Sequence, residues 1–143
     1  MTTQRGEAPD CISLGGTASL FTLTENSGIG AITGTIDGAA YGENTSELTS
    51  VGAHSFEYTM YHVFLDKDGS TLRTQDRAVL RTSTEDGASL LEVEYTVVEG
   101  TGRFTGYEGT FRSRGWLSTP EGKDAIAQHA VGVVRFAGTI CRA

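Results

Sequence analysis

A carboxylate and an imidazole on neighbouring predicted strands are the best candidates for proton transfer. Asp76 shares one strand face with Leu72, Thr74, Ala78 and Leu80, whereas the opposite face carries Arg73, Gln75, Arg77 and Arg81. Because successive side chains of a strand point to opposite faces, we expect the arginines outside and Asp76 inside. A turn near residues 67–68 then brings inward-facing His62 to roughly 5–10 Å from Asp76. Such a pair in an apolar interior can move protons near neutral pH; alternatively, Asp76 only satisfies hydrogen bonds within the core.

Other inward-facing side chains complete the candidate site. Tyr95 joins Asp76 and His62 in the candidate catalytic set, because a phenol can donate a hydrogen bond to a developing oxyanion. The candidate substrate-binding residues are Phe56, Tyr58, Met60, Thr74, Ser113 and Gln128. The alternative is that these side chains simply line the interior. If the strand face assigned to residues 54–65 and 125–140 slips by one position, Glu57, Tyr61 and His129 replace Tyr58, His62 and Gln128.

The spacing of the histidines argues against a metal centre. His54 and His62 lie on one predicted strand, and at ~3.3 Å per residue they are about 26 Å apart, too far to share an ion. His129 has no partner at HxH or HxxxH spacing, and no GxSxG elbow is present for nucleophilic catalysis. We therefore expect no bound metal.

Strands joined by turns must position these residues. The chain has 143 residues with 19 glycines and two prolines, a composition typical of a β protein with many turns. We predict an irregular lead-in over residues 1–14 and one domain over 15–143. The predicted strands cover 17–24, 29–36, 54–65, 71–82, 89–98, 110–117 and 125–140, and residues 38–53 are predicted to be a long loop or a poorly paired edge.

A glycine pattern occurs twice, at 28–34 and 100–106, with glycine at its first, third and seventh positions. A dinucleotide-binding loop of this kind requires a following helix, and strand-like sequence follows both copies. We therefore interpret the glycines as bends and bulges at strand corners.

Charge and cysteine content limit the partners and the location. A net charge of −7 argues against nucleic acid and anionic membranes, and no apolar stretch reaches the ~20 residues of a membrane span. The N-terminus lacks the apolar run of a signal peptide, which predicts a cytoplasmic protein. Cys11 and Cys141 lie near the two chain ends, where neighbouring first and last strands would let them meet; they are either a disulfide or two free thiols. Tyr61, Tyr107 and Trp116 are expected on the outer surface, where they suit an oligomer contact.

The segment 97–109, VVEGTGRFTGYEG, resembles a signature of allene oxide cyclase-like barrels and of the related dirigent proteins. The resemblance implies a closed antiparallel barrel of about eight strands with a central apolar cavity, often in a dimer or trimer. It also implies a cofactor-independent cyclase or isomerase that acts on a hydrophobic polyketide- or lipid-like intermediate. Two alternatives remain open: a non-catalytic, dirigent-like binding protein, and an interaction module whose barrel is filled by its own side chains.

Overall fold

The computed structural model describes residues 10–82, 88–118 and 130–143, and this part of the chain forms nine strands and a short 3₁₀ helix at Gly102–Phe104. The strands are β1 (Asp10–Thr24), β2 (Ser27–Gly34), β3 (Gly38–Asn44), β4 (Thr49–Gly52), β5 (Ser55–Asp66), β6 (Thr71–Arg81), β7 (Ala88–Gly100), β8 (Glu108–Ser118) and β9 (Val131–Arg142). No helix among these residues has the length and apolar character needed to cross a membrane.

The predicted closed antiparallel barrel of eight strands is confirmed. The sheet runs in the order β3-β2-β1-β9-β8-β7-β6-β5-β4, and β3 also pairs with β5, which closes the ring. β5 is long enough to pair with β3 through Met60–Asp66 and with the short β4 through Ser55–Glu57. β3 and β4 therefore pair with different parts of the same edge of β5, and β4 is not part of the eight-stranded ring.

Alternation of side chains decides which residues face the interior. On β6 the buried residues are Leu72, Thr74, Asp76, Ala78 and Leu80, and the exposed residues between them include Arg73, Gln75 and Arg77. The arginine face is therefore outside, as predicted. On β5 the residues that pack toward the core are Tyr58, Met60 and Phe64, so the predicted face of this strand is also correct.

Several local predictions need correction. β1 begins at Asp10, inside the segment predicted to be irregular. Of the two alternatives for residues 38–53, a long loop is wrong: the segment holds β3, which pairs on both sides, and β4, a short exposed strand at the edge of the sheet. The first glycine copy lies within β2, where residues 28–32 pair in register with β3; the predicted bend is found at its last glycine, Gly34, which has φ +131° at the end of the strand, and in the second copy around the 3₁₀ helix. Tyr107 is buried, not exposed, and its hydroxyl donates to Asp10 Oδ2 at 3.1 Å.

Cys11 and Cys141 form a disulfide between the first and last strands. The two residues are direct partners in the β1–β9 register, with Cα atoms 4.0 Å apart. Of the two alternatives predicted for the cysteines, the structure therefore shows the disulfide.

One end of the barrel is held by a buried carboxylate, Asp66. Its oxygens accept hydrogen bonds from the backbone N–H groups of Asp37 and Asp68 and from the Arg103 guanidinium. These contacts tie the β5–β6 turn to the β2–β3 connection and to the 3₁₀ helix. The two backbone donors, followed by Arg103, hold the pKa of the Asp66 carboxyl well below its usual range.

We predict that Asp66→Asn destabilises the fold in a pH-dependent way. Because the folded-state pKa of Asp66 lies below its unfolded value, ionisation stabilises the fold above about pH 4, and this stabilisation is lost as the pH falls towards the folded-state pKa. Urea unfolding should therefore show a constant loss of stability in the variant from about pH 5 to 7 and a shrinking loss below about pH 4. Asp37→Asn, which removes an exposed ion pair with Lys67, is the control with little effect. A loss that stays equal at all pH values would contradict the assignment.

Candidate functional site

The candidate acid–base pair is in direct contact. His62 Nδ1 lies 2.6 Å from Asp76 Oδ2. His62 pairs across β5–β6 with Thr74, and Met60 pairs with Asp76, so the contact is diagonal between inward-facing side chains. The imidazole is 14% exposed and the carboxylate 0% exposed. The sequence placed these residues on one inner face, and the structure joins them in a buried hydrogen bond.

Three neighbours fix the orientation of the His62 ring. Phe64 stacks on it at a centroid distance of 5.5 Å, and Tyr95 meets it edge-on at 5.2 Å. Gly42 on β3 lies against Nε2, where a Cβ atom on residue 42 would come within 2.5 Å of that nitrogen. The ring therefore occupies a slot that exists only because residue 42 has no side chain. Sequence reasoning missed Gly42, because it lies in the segment predicted to be a long loop or a poorly paired edge.

This geometry distinguishes the two ring nitrogens. With Asp76 ionised, its carboxylate can only accept, so Nδ1 carries the proton and Nε2 keeps a free lone pair. Nε2 has no hydrogen-bond partner among the residues that the structure describes. The pair is therefore arranged so that Nε2 can accept a proton while Asp76 stabilises the resulting imidazolium.

Two polar atoms beside the pair lack partners. Asp76 Oδ1 and Thr74 Oγ1 are buried without a hydrogen bond within residues 10–82, 88–118 and 130–143. Buried polar atoms in native proteins are nearly always paired, because an unpaired one loses its hydration without compensation. The carboxylate of Asp76 is thus satisfied by protein on one oxygen only.

Two tyrosine hydroxyls face different surroundings. Tyr95 OH lies 2.8 Å from Ser113 Oγ, and burial raises the pKa of the Tyr95 phenol above its usual range. Burial also raises the pKa of Tyr58, to about 12, and its hydroxyl has no partner in the described part of the chain. Both phenols therefore stay protonated at neutral pH. The Tyr58 O–H is free to donate to a ligand, and the hydrogen bond between Tyr95 and Ser113 leaves one of their two O–H groups free.

A small void lies inside the barrel beside these groups. Its volume is about 120 Å³, and the residues that line it include Tyr58, Met60, His62, Leu91, Tyr95 and Ser113. Ligand pockets usually enclose about 300–1,000 Å³. The interior is therefore mostly filled by side chains, and a large central cavity is not confirmed.

The remaining candidates divide by position. Phe56 is half-buried on the inner face of β5, and Thr74 is fully buried, but neither lines the void. Glu57 and Tyr61 lie on the outer face of β5, so the alternative register for this strand is excluded. Gln128 and His129 lie outside the described residues.

The outer surface carries a second, larger concavity away from the pair. This shallow groove of about 1080 Å³ runs over β5–β9, where arginines and glutamates alternate between strands. Arg112 pairs with Glu94 at 3.0 Å and Arg114 with Glu92 at 3.4 Å. These exposed ion pairs make a solvated ladder and bring no reactive group together.

Comparisons and metal-ligand geometry add no further assignment. Within the described ranges, no three His, Cys, Asp or Glu side chains are grouped so that they could hold a metal ion. No protein-family model, curated protein or solved structure matches the chain.

We predict that Gly42→Ala displaces the His62 ring and destabilises the fold by about 1–3 kcal/mol, because its Cβ atom would overlap Nε2. Urea unfolding measures the loss, and the ¹⁵N chemical shifts of His62 report the broken Nδ1 contact. Gly52→Ala is the matched control, since a Cβ atom there meets nothing within 4 Å. Equal stability of the two variants, with unchanged His62 shifts, would show that the slot does not constrain the ring.

Proposed function

We propose that the protein is a cofactor-independent cyclase or isomerase that acts on a hydrophobic, polyketide- or lipid-like molecule bound at the barrel interior. The observation that carries this proposal is the 2.6 Å contact between His62 Nδ1 and Asp76 Oδ2, with Nε2 left free on a residue that lines the void. Apolar surroundings and a free imidazole nitrogen suit removal of a proton from a weakly acidic carbon.

The proposed step begins when Nε2 takes a proton from a carbon next to a carbonyl group, and the C–H electron pair becomes an enolate. In an isomerase, the ligand also carries a β,γ double bond, so the anion is a dienolate; the imidazolium returns the proton to its γ-carbon, and the double bond moves into conjugation with the carbonyl group. In a cyclase, the enolate carbon attacks a second carbonyl of the same molecule, and the imidazolium protonates the resulting alkoxide. Asp76 stabilises the imidazolium in both cases, so no other reactant is needed.

The tyrosines have separate roles in this proposal. Tyr58, with its unpartnered hydroxyl, donates to the enolate oxygen, where a well-placed donor stabilises developing charge. Tyr95 acts through its ring, which packs edge-on against His62, while its hydroxyl is held by Ser113. Tyr95 is therefore a positioning residue.

The small void favours a second candidate, a dirigent-like binding protein that holds part of a ligand without chemistry. About 120 Å³ leaves little room for a long chain to fold for ring closure. In this case the His62–Asp76 pair only satisfies the core, as the sequence analysis allowed.

The family resemblance and the cellular location remain proposals. Residues 97–109 span the end of β7, the 3₁₀ helix and the start of β8, and on this segment we propose kinship with allene oxide cyclase-like barrels. The cytoplasmic location stays a prediction. The Cys11–Cys141 disulfide weighs against it, because disulfides persist mainly in oxidising compartments.

We also propose that the chain forms a dimer or trimer through an apolar patch on its outer surface. Phe21 lies opposite Val131, and Trp116 lies opposite Val133, on three adjacent strands. Trp116 is 54% exposed, and the other three side chains are exposed to a similar extent. Contiguous exposed apolar side chains with a tryptophan are typical of protein contacts.

Light scattering should give the mass of two or three chains for the wild type and one chain for Trp116→Arg; a monomeric wild type would contradict the proposal.

The acid–base proposal predicts catalysed exchange of the α-hydrogens of ketones in D₂O, followed by NMR over a panel of linear and cyclic ketones. His62→Gln and Asp76→Asn should slow this exchange by roughly 10²-fold or more, because each removes part of the general base. Gln75→Asn, on the outer face of β6, is the control and should match the wild type.

The outcomes separate the candidate functions. Exchange that depends on His62 and Asp76 supports the enzyme. Ketone binding without exchange above the protein-free rate supports the binding protein. Neither binding nor exchange leaves an interaction module with a filled barrel.

A further inference from the structure

The polar groups on the residues around the void determine which chemical group of a ligand can bind there. Several groups on its lining residues lack hydrogen-bond partners in the described part of the chain: the Nε2 of His62, the hydroxyl of Tyr58 and the side-chain amides of Asn26 and Asn44. The first accepts a proton, and the second donates a hydrogen bond. Tyr95 and Ser113 also line the void, but their hydroxyls are paired with each other. Because the Tyr95–Ser113 hydrogen bond uses only one of their two O–H groups, a ligand is offered several donors and one imidazole base, the Nε2 of His62.

The charges around the void disfavour an ionised ligand. Of the described residues that line it, none is Arg or Lys, and Glu25 is the only carboxylate among them. Asp76 adds a carboxylate directly behind His62. A ligand carboxylate or phosphate would lose its hydration here without meeting a fixed cation, which is unfavourable in an apolar interior.

The volume limits how much of a molecule can enter. An apolar protein cavity of about 150 Å³ holds one benzene molecule, so a void of about 120 Å³ admits one small ring or an unbranched end of similar bulk. Thr22, Thr24 and Asn26, at the β1–β2 turn, also line the void, so it reaches that end of the barrel. The rest of a larger molecule would have to lie beyond the turn.

From these three observations we infer that the site takes the uncharged, enolisable ketone end of a molecule, no wider than one five- or six-membered ring, with its carbonyl oxygen on Tyr58. This inference rests on the proposed function for the role of His62, and it adds the ligand class and makes Tyr58 the residue that selects it. A hydrocarbon end would leave the Tyr58 hydroxyl unpaired, and an ionised acid would lie near the carboxylates of Glu25 and Asp76 without a fixed cation to pair with.

The test is ligand binding followed by NMR chemical shifts, which needs no turnover. The probes are cyclopentanone, the bulky cage ketone 2-adamantanone, and cyclopentanecarboxylate. We expect cyclopentanone to bind the wild type, and the other two to bind at least tenfold more weakly. Tyr58→Phe should weaken cyclopentanone binding roughly three- to tenfold, the effect of one lost hydrogen bond. Tyr61→Phe, on the outer face of the same strand, should bind it as the wild type does.

Met60→Ala provides a second variant that widens the void without touching a polar group. It should raise the affinity for 2-adamantanone relative to cyclopentanone. Equal binding of the two ketones by the wild type, unchanged binding in Tyr58→Phe, preference for the carboxylate, or failure of cyclopentanone to bind would each overturn the inference. Tyr58-dependent binding without hydrogen exchange would preserve the ligand class and remove the enzyme proposal. Exchange that depends on His62 but not on Tyr58 would support the enzyme proposal and remove the proposed ligand class.

Discussion

Pairing between β3 and β5 closes the sheet, and the width of the interior depends on where that closure occurs. The register joins Gly38 to Asp66 and Asn44 to Met60, and it places Gly42 directly opposite His62. Eight strands leave an interior just wide enough for side chains or for one small ligand. Gly42 on β3 shifts this balance locally, because it lets the His62 ring lie against the β3 backbone. The Nε2 of His62 faces Gly42, and a side chain on residue 42 would overlap this nitrogen.

Aromatic rings fill the interior on one side of His62. Tyr95 stacks on Phe111 with centroids 4.6 Å apart, Phe64 meets both rings edge-on, and Phe136 continues the contacts from Phe111. Each such pair contributes roughly 0.5–1.5 kcal/mol beyond the burial of its area. None of the three phenylalanines lines the void, which instead continues from His62 towards Tyr58. His62 therefore stands between this aromatic cluster and the void.

The sequence predicted the parts of this arrangement that depend on strong alternation. On β6, arginines interleave with apolar residues, so the inward direction of Asp76 follows from the pattern alone, and the β5–β6 turn then places His62 on the neighbouring strand. β3 could not be predicted in the same way, because Gly38, Ala39, Ala40 and Gly42 give no contrast between faces and its closing partner is distant in sequence. Gly42 consequently escaped notice, and so did the burial of Tyr107, which is fixed by its contacts with Asp10 and Arg142 at the chain ends. The direct contact between His62 and Asp76 depends on side-chain rotamers and on the curvature of the barrel, and neither can be predicted from residue spacing.

The buried polar atoms bear on whether the barrel is a filled module or a working site. Asp76 is fully buried, and one of its oxygens has no partner in the described chain, nor has the hydroxyl of its neighbour Thr74. Replacing a buried polar pair by apolar side chains of similar shape is often neutral or stabilising, whereas an unsatisfied carboxylate oxygen costs stability. A barrel that only needed to fill its interior would gain from leucine or valine at these positions. Filling the core therefore does not explain why polar groups stand at these positions, and the proposed proton transfer through His62 would give a use to Asp76, to the free Nε2 and to the unpaired hydroxyl of Tyr58 together.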